Sequence, residues 1–360
     1  MKFLFITDPL VTTEGAVRPA LLLAKQFRLL GHSVEIVSTQ IAQEIVRALE
    51  VQGIQQSQVG SSLTVTRSFP TLEAWARALV RPIQITRKEE SQIMINTSSC
   101  IVASSRVYYA QGTMTRTLDD ISTKLPARYM YSYKLSAPLL KFLDRKLVEK
   151  FRMTSKLFVA NSTFCSSIYK EMGLDIDYII PPPLDCELFK PSASKPSEDY
   201  VLTHVGTLGK EGDLPLIRAV ADRGVRIQVF GREPNMKHFK ENRNITFLGK
   251  VSDRKLVELY SNAVFTLFAF NHEPFGYIPI ESMACGTPVL TFNRQGPAET
   301  VTDFQTGWLA ENDEELVKKA VSIWKEGVDK SIRAACRRNA LVYDVKEVSE
   351  KWIDILATAE

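Results

Sequence analysis

The residues around position 270 concentrate side chains able to act on a polar ligand. The stretch reads Phe270-Asn271-His272-Glu273-Pro274-Phe275-Gly276-Tyr277-Ile278-Pro279-Ile280-Glu281-Ser282-Met283-Ala284-Cys285-Gly286-Thr287-Pro288-Val289. The apolar run Val264 to Phe268 before it predicts a strand. A helix follows whose first turn tolerates Pro279, because the first N–H groups of a helix have no internal partner. Glu273 in the loop and Glu281 early in the helix can then converge on one ligand, while the backbone of Pro274 to Gly276 approaches it closely; Gly276 has no side chain to prevent this. Carboxylates accept hydrogen bonds from hydroxyls, and helix N-termini attract phosphate. The chemistry suited to the pattern is recognition of a polyhydroxylated, negatively charged molecule, and a nucleotide sugar offers both features. Each glutamate also admits a plainer reading, Glu281 as a complement to its helix dipole and Glu273 as a solvated loop residue.

The elements that must position this loop are those of a parallel sheet, since short β-branched and aromatic runs alternate with amphipathic helices through most of the chain. Strands are expected at Phe3 to Thr7, Val34 to Ser38, Leu63 to Thr66, Ile93 to Asn96, Val107 to Ala110, Leu157 to Asn161 and Tyr178 to Ile180. Proline and small polar residues then interrupt the pattern at Pro181-Pro182-Pro183 and from Lys190 to Ser197, as a linker does. Alternation restarts with strands at Val201 to Val205, Val225 to Phe230, Ile245 to Leu248, Val264 to Phe268 and Pro288 to Thr291, and with helices at Asp253 to Asn262, near Glu281 and near Glu299. From about Glu314 to Ala359 the pattern is helical. The fold expected is α/β: two Rossmann-like domains, residues 1–190 and 191–340, facing a cleft, with a C-terminal helix in 341–360 crossing back to the first domain. Open α/β sheets bind ligands beyond the carboxyl ends of their strands, so function belongs in loops that follow strands.

Composition excludes several classes. At 360 residues, 45% hydrophobic and 24% charged, the chain has the make-up of a packed globular protein of about two domains rather than a disordered one. A formal net charge of +4 is too small for a global nucleic-acid footprint. The five cysteines, Cys100, Cys165, Cys186, Cys285 and Cys336, form no Cys-x-x-Cys pair and read as reduced thiols in a cytoplasmic protein. No zinc, nucleophile-elbow, P-loop or dinucleotide fingerprint appears, and no apolar run is long enough to span a membrane.

The stretch from Glu273-Pro-Phe-Gly through Glu281-Ser-Met-Ala-Cys-Gly-Thr-Pro-Val289 resembles the Glu-x7-Glu signature of retaining glycosyltransferase family 4, which has the GT-B fold. The likeness extends to Gly296-Pro-Ala-Glu299, Thr306-Gly-Trp-Leu309, Phe247 to Tyr260, the linker Ile180 to Pro191 and, in the first half, Gly15, Leu23-Ala24 and Gly31 to Val37. The resemblance implies that Glu273 meets the hydroxyls of the donor sugar and stabilises the transition state, helped by the backbone of Pro274, Phe275 and Gly276. Glu281 would hold the ribose hydroxyls, Val251 would border the base, Gly206 and Gly231 would lie near the nucleotide, and Gly15 would keep the first-domain loop close to the diphosphate. It further implies transfer of a hexose-type sugar with retention, no cofactor beyond the nucleotide-sugar substrate, and no metal. The protein's task is then positioning and electrostatic stabilisation of the departing diphosphate.

One loop departs from that pattern. Family members usually carry Gly-Arg after the second domain's first strand and Lys-Gly a few residues on, two cations that clamp the donor phosphates. Here Gly206 is followed by Thr207, and Gly212 is preceded by Glu211, with Lys210 displaced by one. Lys210 is the favoured replacement, ahead of Arg232, Arg294 and Arg18. The first-domain histidine usual in the family is also missing, and Gln111 and Gly112 stand in the expected place, where the resemblance implies that they would face the acceptor. His272, next to Glu273, is a further candidate for substrate contact. The segment Arg116 to Arg152 interleaves Lys134, Lys141, Arg145 and Lys146 with Tyr131, Leu135, Leu139 and Phe142, a pattern suited either to an anionic membrane surface and a lipid-linked acceptor or to an ordinary helix covering the sheet. The reading is a glycosyltransferase acting on a glycan or lipid-linked hydroxyl, in the cytoplasm, with the membrane surface as the alternative location. Its rivals are a non-catalytic nucleotide-sugar-binding protein that has lost the phosphate clamp, and another GT-B chemistry such as a phosphorylase or an epimerase.

Overall fold

The computed structural model describes residues 1–60, 70–86, 92–192, 196–206, 214–231 and 242–358. It consists of two compact units, one formed by Met1–Asp119, Tyr131–Pro183 and Val345–Glu360, the other by Asp120–Met130 and Leu184–Asp344. Both are parallel-sheet α/β units of the Rossmann type.

In the first unit the strands are β1 (Lys2–Ile6), β2 (Ser33–Ser38), β3 (Gln55–Gln58), β4 (Ile83–Ile85), β5 (Gln92–Asn96), β6 (Ile101–Ala103), β7 (Ser105–Ala110), β8 (Ser155–Ala160) and β9 (Tyr178–Ile179). The main sheet runs β3-β2-β1-β5-β7-β8-β9, every pairing parallel, while β4 and β6 pair separately. Its helices are α1 (Arg18–Leu29), α2 (Gln43–Val51), α3 (Pro70–Val80), α4 (Met114–Ser122), α5 (Ala127–Thr154) and α6 (Thr163–Glu171), of which the end of α4 and the start of α5 belong to the second unit. Side chains alternate across a strand, and the sheet separates two cores on that rule. Phe3, Phe5, Val107 and Tyr109 face one, with Ala20, Leu23 and Phe27 of α1 and Ile45 of α2. Leu4, Ile6, Tyr108 and Ala110 face the other, with Trp75 of α3, Leu147 and Phe151 of α5 and Tyr169 of α6.

In the second unit β10 (Val201–Val205), β11 (Ile227–Gly231), β12 (Ile245–Gly249), β13 (Thr266–Phe268), β14 (Val289–Phe292) and β15 (Gly307–Ala310) form one parallel sheet in the order β12-β11-β10-β13-β14-β15. Counted within the unit this is 3-2-1-4-5-6, the doubly wound order, and the sense of winding reverses between β10 and β13. Its helices are α7 (Leu214–Ala221), α8 (Asp253–Asn262), α9 (Tyr277–Ala284), α10 (Pro297–Thr300), α11 (Asp313–Glu326) and α12 (Lys330–Ala340). Several starts are written locally: Ser252 accepts from the N–H of Lys255 at the head of α8, and Asn312 from that of Glu315 at the head of α11, where Asp313, Glu314 and Glu315 also suit the helix dipole. The unit begins at Leu184, ahead of the proline- and serine-rich stretch, because Leu184, Cys186 and Phe189 are buried in its core. Arg337 of α12 secures that segment, donating to the carbonyls of Phe189 at 2.7 Å, Ala284 at 3.0 Å and Cys186 at 3.1 Å.

The final helix, α13 (Val345–Thr358), is part of the first unit: Val348, Trp352, Ile355 and Leu356 join the core that contains α1, and the Trp352 and Tyr109 rings meet edge to face at 5.1 Å. Four strands, β3, β4, β6 and β15, are not foreseen by the sequence pattern. β3 is Gln-Gln-Ser-Gln on a sheet edge with no apolar face, and β4 and β6 are three residues each. The strand expected at Leu63 to Thr66 lies outside the described residues.

Candidate active site

Because all strands of the second sheet are parallel, the loops that follow them share one edge. Gly206 follows β10, Gly231 ends β11 in register with Val205, Val251 follows β12, residues 269–276 follow β13 and residues 293–296 follow β14. The donor-side residues anticipated from sequence and described in the structure, Gly206, Gly231, Val251, Glu273, Pro274, Phe275, Gly276 and Glu281, therefore belong to elements at this edge. Thr207 and Lys210, together with Glu211 and Arg232, lie outside the described residues.

The loop after β13 is shaped by its neighbours. Gly276 takes left-handed backbone angles, φ 97° and ψ 87°, at the N-cap of α9, a conformation suited to a residue without Cβ. Helix α9 is apolar nearly all round, and Pro279, Ile280, Glu281, Ser282, Met283 and Ala284 are all buried, so its position is fixed by packing on every side. Glu273 is only partly buried, and both of its backbone groups are engaged by the loop after β14: its N–H donates to Gln295 Oε1 at 2.8 Å, and its carbonyl accepts from the N–H of Gly296 at 3.1 Å. Gly296 lies against the chain it supports, and a Cβ there would come within 2.4 Å of the Pro274 carbonyl oxygen and of Phe275 Cα. One loop thus templates the other.

Glu281 is 4% exposed, and its Oε2 accepts from Tyr260 Oη of α8 at 3.0 Å. A buried carboxylate needs such donors to offset lost hydration. The nearby Cys285 thiol is pushed well up by burial and further by the Glu281 carboxylate, which leaves it a poor nucleophile. Ser282 joins Thr266 of β13 at 2.7 Å and donates to the Thr287 carbonyl at 2.9 Å, tying α9 to the strand before the loop.

His272 points inward. Its side chain is 2% exposed, and its Nδ1 lies 2.7 Å from Asp120 Oδ2, an oxygen that also accepts from Gln295 Nε2 at 3.2 Å. Arg294 stacks over the Phe292 ring at 4.2 Å and donates to the Phe270 carbonyl at 3.4 Å. His204 packs on Phe230, and His32 on Phe3 and Phe27.

In the first unit Gly15 opens a short 3-10 turn (Gly15–Val17) after β1, and Gln111 and Gly112 follow β7. Gln111 Nε2 donates to the Ala16 carbonyl at 2.9 Å, which brings the two anticipated loops together, and the Gly112 carbonyl accepts from Tyr169 Oη at 3.0 Å. A feature the sequence reading missed lies at the same edge. Asp8, directly after β1, is buried and accepts from Ser98 Oγ at 2.9 Å, Ser99 N–H at 2.8 Å and Ser99 Oγ at 3.1 Å, joining the loops after β1 and β5. Burial raises its carboxyl above the ordinary value, and those donors oppose the rise. The sequence reading also missed Asp120, Gln295 and the role of Tyr260. Of these only Gln295 carried a local signal, as the residue before Gly296-Pro297 in a loop after a strand.

The exposed face of α5 is the other distinctive surface. Tyr131, Leu135, Leu139 and Phe142, at 66%, 88%, 62% and 57% exposed, fall on one stripe of the helix, while Leu147, Val148 and Phe151 turn into the core. Lys134, Lys141 and Arg145 flank the stripe on one side, and Lys146 falls within it, 5.9 Å from the Phe142 ring centroid; Lys141 pairs with Asp119, and Arg145 and Lys146 pair with Glu149. Among the described residues no helix is long and apolar enough to cross a membrane, and no group of three or more His, Cys, Asp or Glu side chains is placed to hold a metal ion.

Comparison with known proteins agrees with this geometry. The family model described as glycosyl transferases group 1 matches residues 186–341. The alpha-1,3/1,6-mannosyltransferase ALG2 of Mus musculus is 34% identical over 89 residues, covering 22% of this chain and 21% of that protein. The GDP-mannose-dependent alpha-(1-6)-phosphatidylinositol dimannoside mannosyltransferase of Mycobacterium tuberculosis is 26% identical over 204 residues, 51% of this chain and 53% of that protein. The chain thus spans from about a fifth to about half the length of these curated relatives. Among solved structures, Anabaena Alr3699/HepE in complex with UDP superposes with a TM-score of 0.69 at 17% identity, covering 99% of this chain and 100% of that one. WaaG, a glycosyltransferase involved in lipopolysaccharide biosynthesis, gives 0.65 at 18% identity over 98% and 99%. With two parallel doubly wound units and these neighbours along its length, the chain has the GT-B fold, and residues 186–341 are the part that matches the group 1 glycosyl transferase model.

Proposed function

We propose that the protein transfers a sugar from a nucleotide-diphosphate donor to a hydroxyl acceptor, with retention of anomeric configuration and without a metal. The observation that carries the reading is the pair of glutamates set by one strand-loop-helix: Glu273, its backbone clamped and its carboxylate part-exposed, and Glu281, buried and oriented by Tyr260. Glu273 is the residue we assign to accept hydrogen bonds from donor-sugar hydroxyls and to stabilise positive charge developing at the anomeric carbon. Glu281 is suited to the ribose diol, since a carboxylate can accept from two adjacent hydroxyls. The backbone from Pro274 to the first turn of α9 offers N–H groups toward the diphosphate, a fixed source of stabilisation as negative charge grows on the leaving group. Lys210 is the cation we assign to the phosphates, and Gln111 and Gly112 the acceptor side.

Mannose is the first sugar to test, because two relatives are named as mannosyltransferases, and uridine nucleotides are the second, because a structural neighbour was solved with UDP. A lipid-linked acceptor at an anionic membrane surface suits the stripe on α5, whose apolar side chains are flanked by cations in the manner of interfacial helices. The deciding experiment is turnover of GDP-mannose and UDP-glucose by the purified chain, with and without glycan and lipid acceptors, beside Glu273→Ala and Glu281→Ala. Transfer reduced by roughly 100-fold or more in both variants is the expected result. Activity unchanged by both substitutions would sink the assignment, and donor binding without turnover for any acceptor would favour a non-catalytic binder.

A further inference from the structure

A short chain of polar contacts reaches Glu273 from a distant part of the sequence. Asp120, in the 120–130 segment of the second unit, has one carboxylate oxygen that meets two groups: His272 Nδ1 at 2.7 Å and Gln295 Nε2 at 3.2 Å. An ionised carboxylate only accepts, so both partners must present hydrogen to it. That requirement places a proton on His272 Nδ1 and turns the amide group of Gln295 so that Nε2 faces Asp120. The Gln295 oxygen is thereby directed at the Glu273 N–H, which it accepts at 2.8 Å. The alternative amide orientation would set an oxygen against the carboxylate and an NH2 group against an N–H, losing both bonds at once.

The backbone carries an independent sign of the same constraint. Gln295 sits at φ 57°, in the left-handed region that residues other than glycine rarely take, asparagine, aspartate and histidine excepted. Such conformations persist where surrounding structure holds them, and they gather at functional sites. Here the unusual angle sends the side chain of Gln295 to the Glu273 N–H, while the next residue, Gly296, donates its own N–H to the Glu273 carbonyl. Both backbone groups of one residue are gripped by two consecutive residues of a neighbouring loop.

We propose that Asp120 and Gln295 are positioning residues for Glu273, Asp120 fixing the His272 tautomer and the Gln295 amide so that the glutamate's backbone, and with it its carboxylate, is held toward the donor sugar. The proposal rests on the transferase reading. Neither residue touches the reacting atoms; their effect passes through Glu273.

The test is steady-state kinetics of donor turnover by the full chain. Gln295→Ala and Asp120→Ala are expected to lower kcat by roughly 10- to 100-fold with donor KM changed by less than about threefold, the scale of loss that misplacement of a catalytic group produces. Asp120→Asn, which keeps one oxygen able to accept from both partners, is expected to restore most of kcat. Added to Glu273→Ala, neither alanine substitution should cost more activity, because the group through which they act is already gone. Wild-type kcat in Asp120→Ala, an Asp120→Asn variant as poor as Asp120→Ala, or a full further loss in the Glu273→Ala background would each overturn the proposal. Hydrogen exchange at the Glu273 amide in the donor-free chain tests the clamp without turnover: faster exchange in Asp120→Ala is expected, and unchanged exchange refutes it. If the unsubstituted protein turns over no donor, the transferase reading fails, and the exchange measurement still decides the clamp.

Discussion

Substituting Gly296 by alanine separates steric templating of the Glu273 loop from every other role of that position. Gly296 has ordinary helical angles, φ −57° and ψ −43°, so a methyl group there carries no conformational penalty, and the N–H that donates to the Glu273 carbonyl is retained. The perturbation is the Cβ alone, 2.4 Å from the Pro274 carbonyl oxygen, 2.4 Å from Phe275 Cα and 2.5 Å from Phe275 N. Non-bonded carbon atoms rest at about 3.5–4.0 Å, so relief demands a shift on the order of 1 Å in the backbone directly after Glu273. A misplacement of that size can cost about 100-fold in rate, equivalent to about 2.7 kcal/mol at the transition state. Overpacking of a tight site also costs roughly 1–3 kcal/mol of stability, a fall of roughly 2–12 °C in Tm for a unit of this size. The assay is donor turnover beside a thermal melt of the same preparation. Turnover within about threefold of the unsubstituted protein, together with an unchanged Tm, would show that the loop accommodates the methyl group and that the close approach does not set the position of Glu273.

Further outcomes follow from the same geometry. Tyr260→Phe removes the donor to Glu281 Oε2 and keeps the ring in the core; hydrogen bonds to charged groups contribute about 1.5–3 kcal/mol, so calorimetric titration should show nucleotide binding weakened by about tenfold or more, and an unchanged Kd would dismiss Tyr260 as an orienting group. Trp352→Ala should destabilise the first unit by about 3–5 kcal/mol in denaturant unfolding, with Trp352→Phe milder because it keeps a ring in the core and removes an indole N–H that meets no hydrogen-bond partner among the described residues; equal effects would refute that reasoning. Replacing Leu135 and Leu139 together by aspartate should reduce flotation with vesicles containing an anionic phospholipid while shifting stability by no more than about 0.5 kcal/mol per site; equal binding of both proteins would remove α5 from any membrane contact.

The layout of the candidate site was legible wherever its parts are neighbours in sequence. Glu273, Gly276, Pro279 and Glu281 occupy one strand-loop-helix, so a strand ending at Phe268 and a proline in the next helix's first turn suffice to place them on one sheet edge. The alternation of apolar runs likewise revealed two parallel sheets, because strands such as Phe3 to Ile6 are buried on both faces and read as continuous apolar segments. What escaped is what depends on tertiary register. Asp120 lies 152 positions from His272, and nothing in either segment announces the other. Tyr260 is one buried aromatic among many until α8 is seen to turn its hydroxyl toward α9. β3 escaped because an edge strand of glutamines and a serine takes its place from backbone pairing with β2 rather than from an apolar face.

The return of α13 to the first unit has a bearing on how this chain must be made. Arg106 donates to the Leu356 carbonyl across 250 positions of sequence, and Trp352 completes the core that Phe3, Phe27 and Tyr109 begin. A ribosome delivers the whole of the second unit before it delivers that helix. The first unit therefore waits, its α1 face open, while its neighbour is free to fold, an order of events in which exposed apolar surface invites misassembly and the care of chaperones. Cutting the gene at the linker would not yield two self-sufficient halves, for the early one would lack a wall that is encoded last.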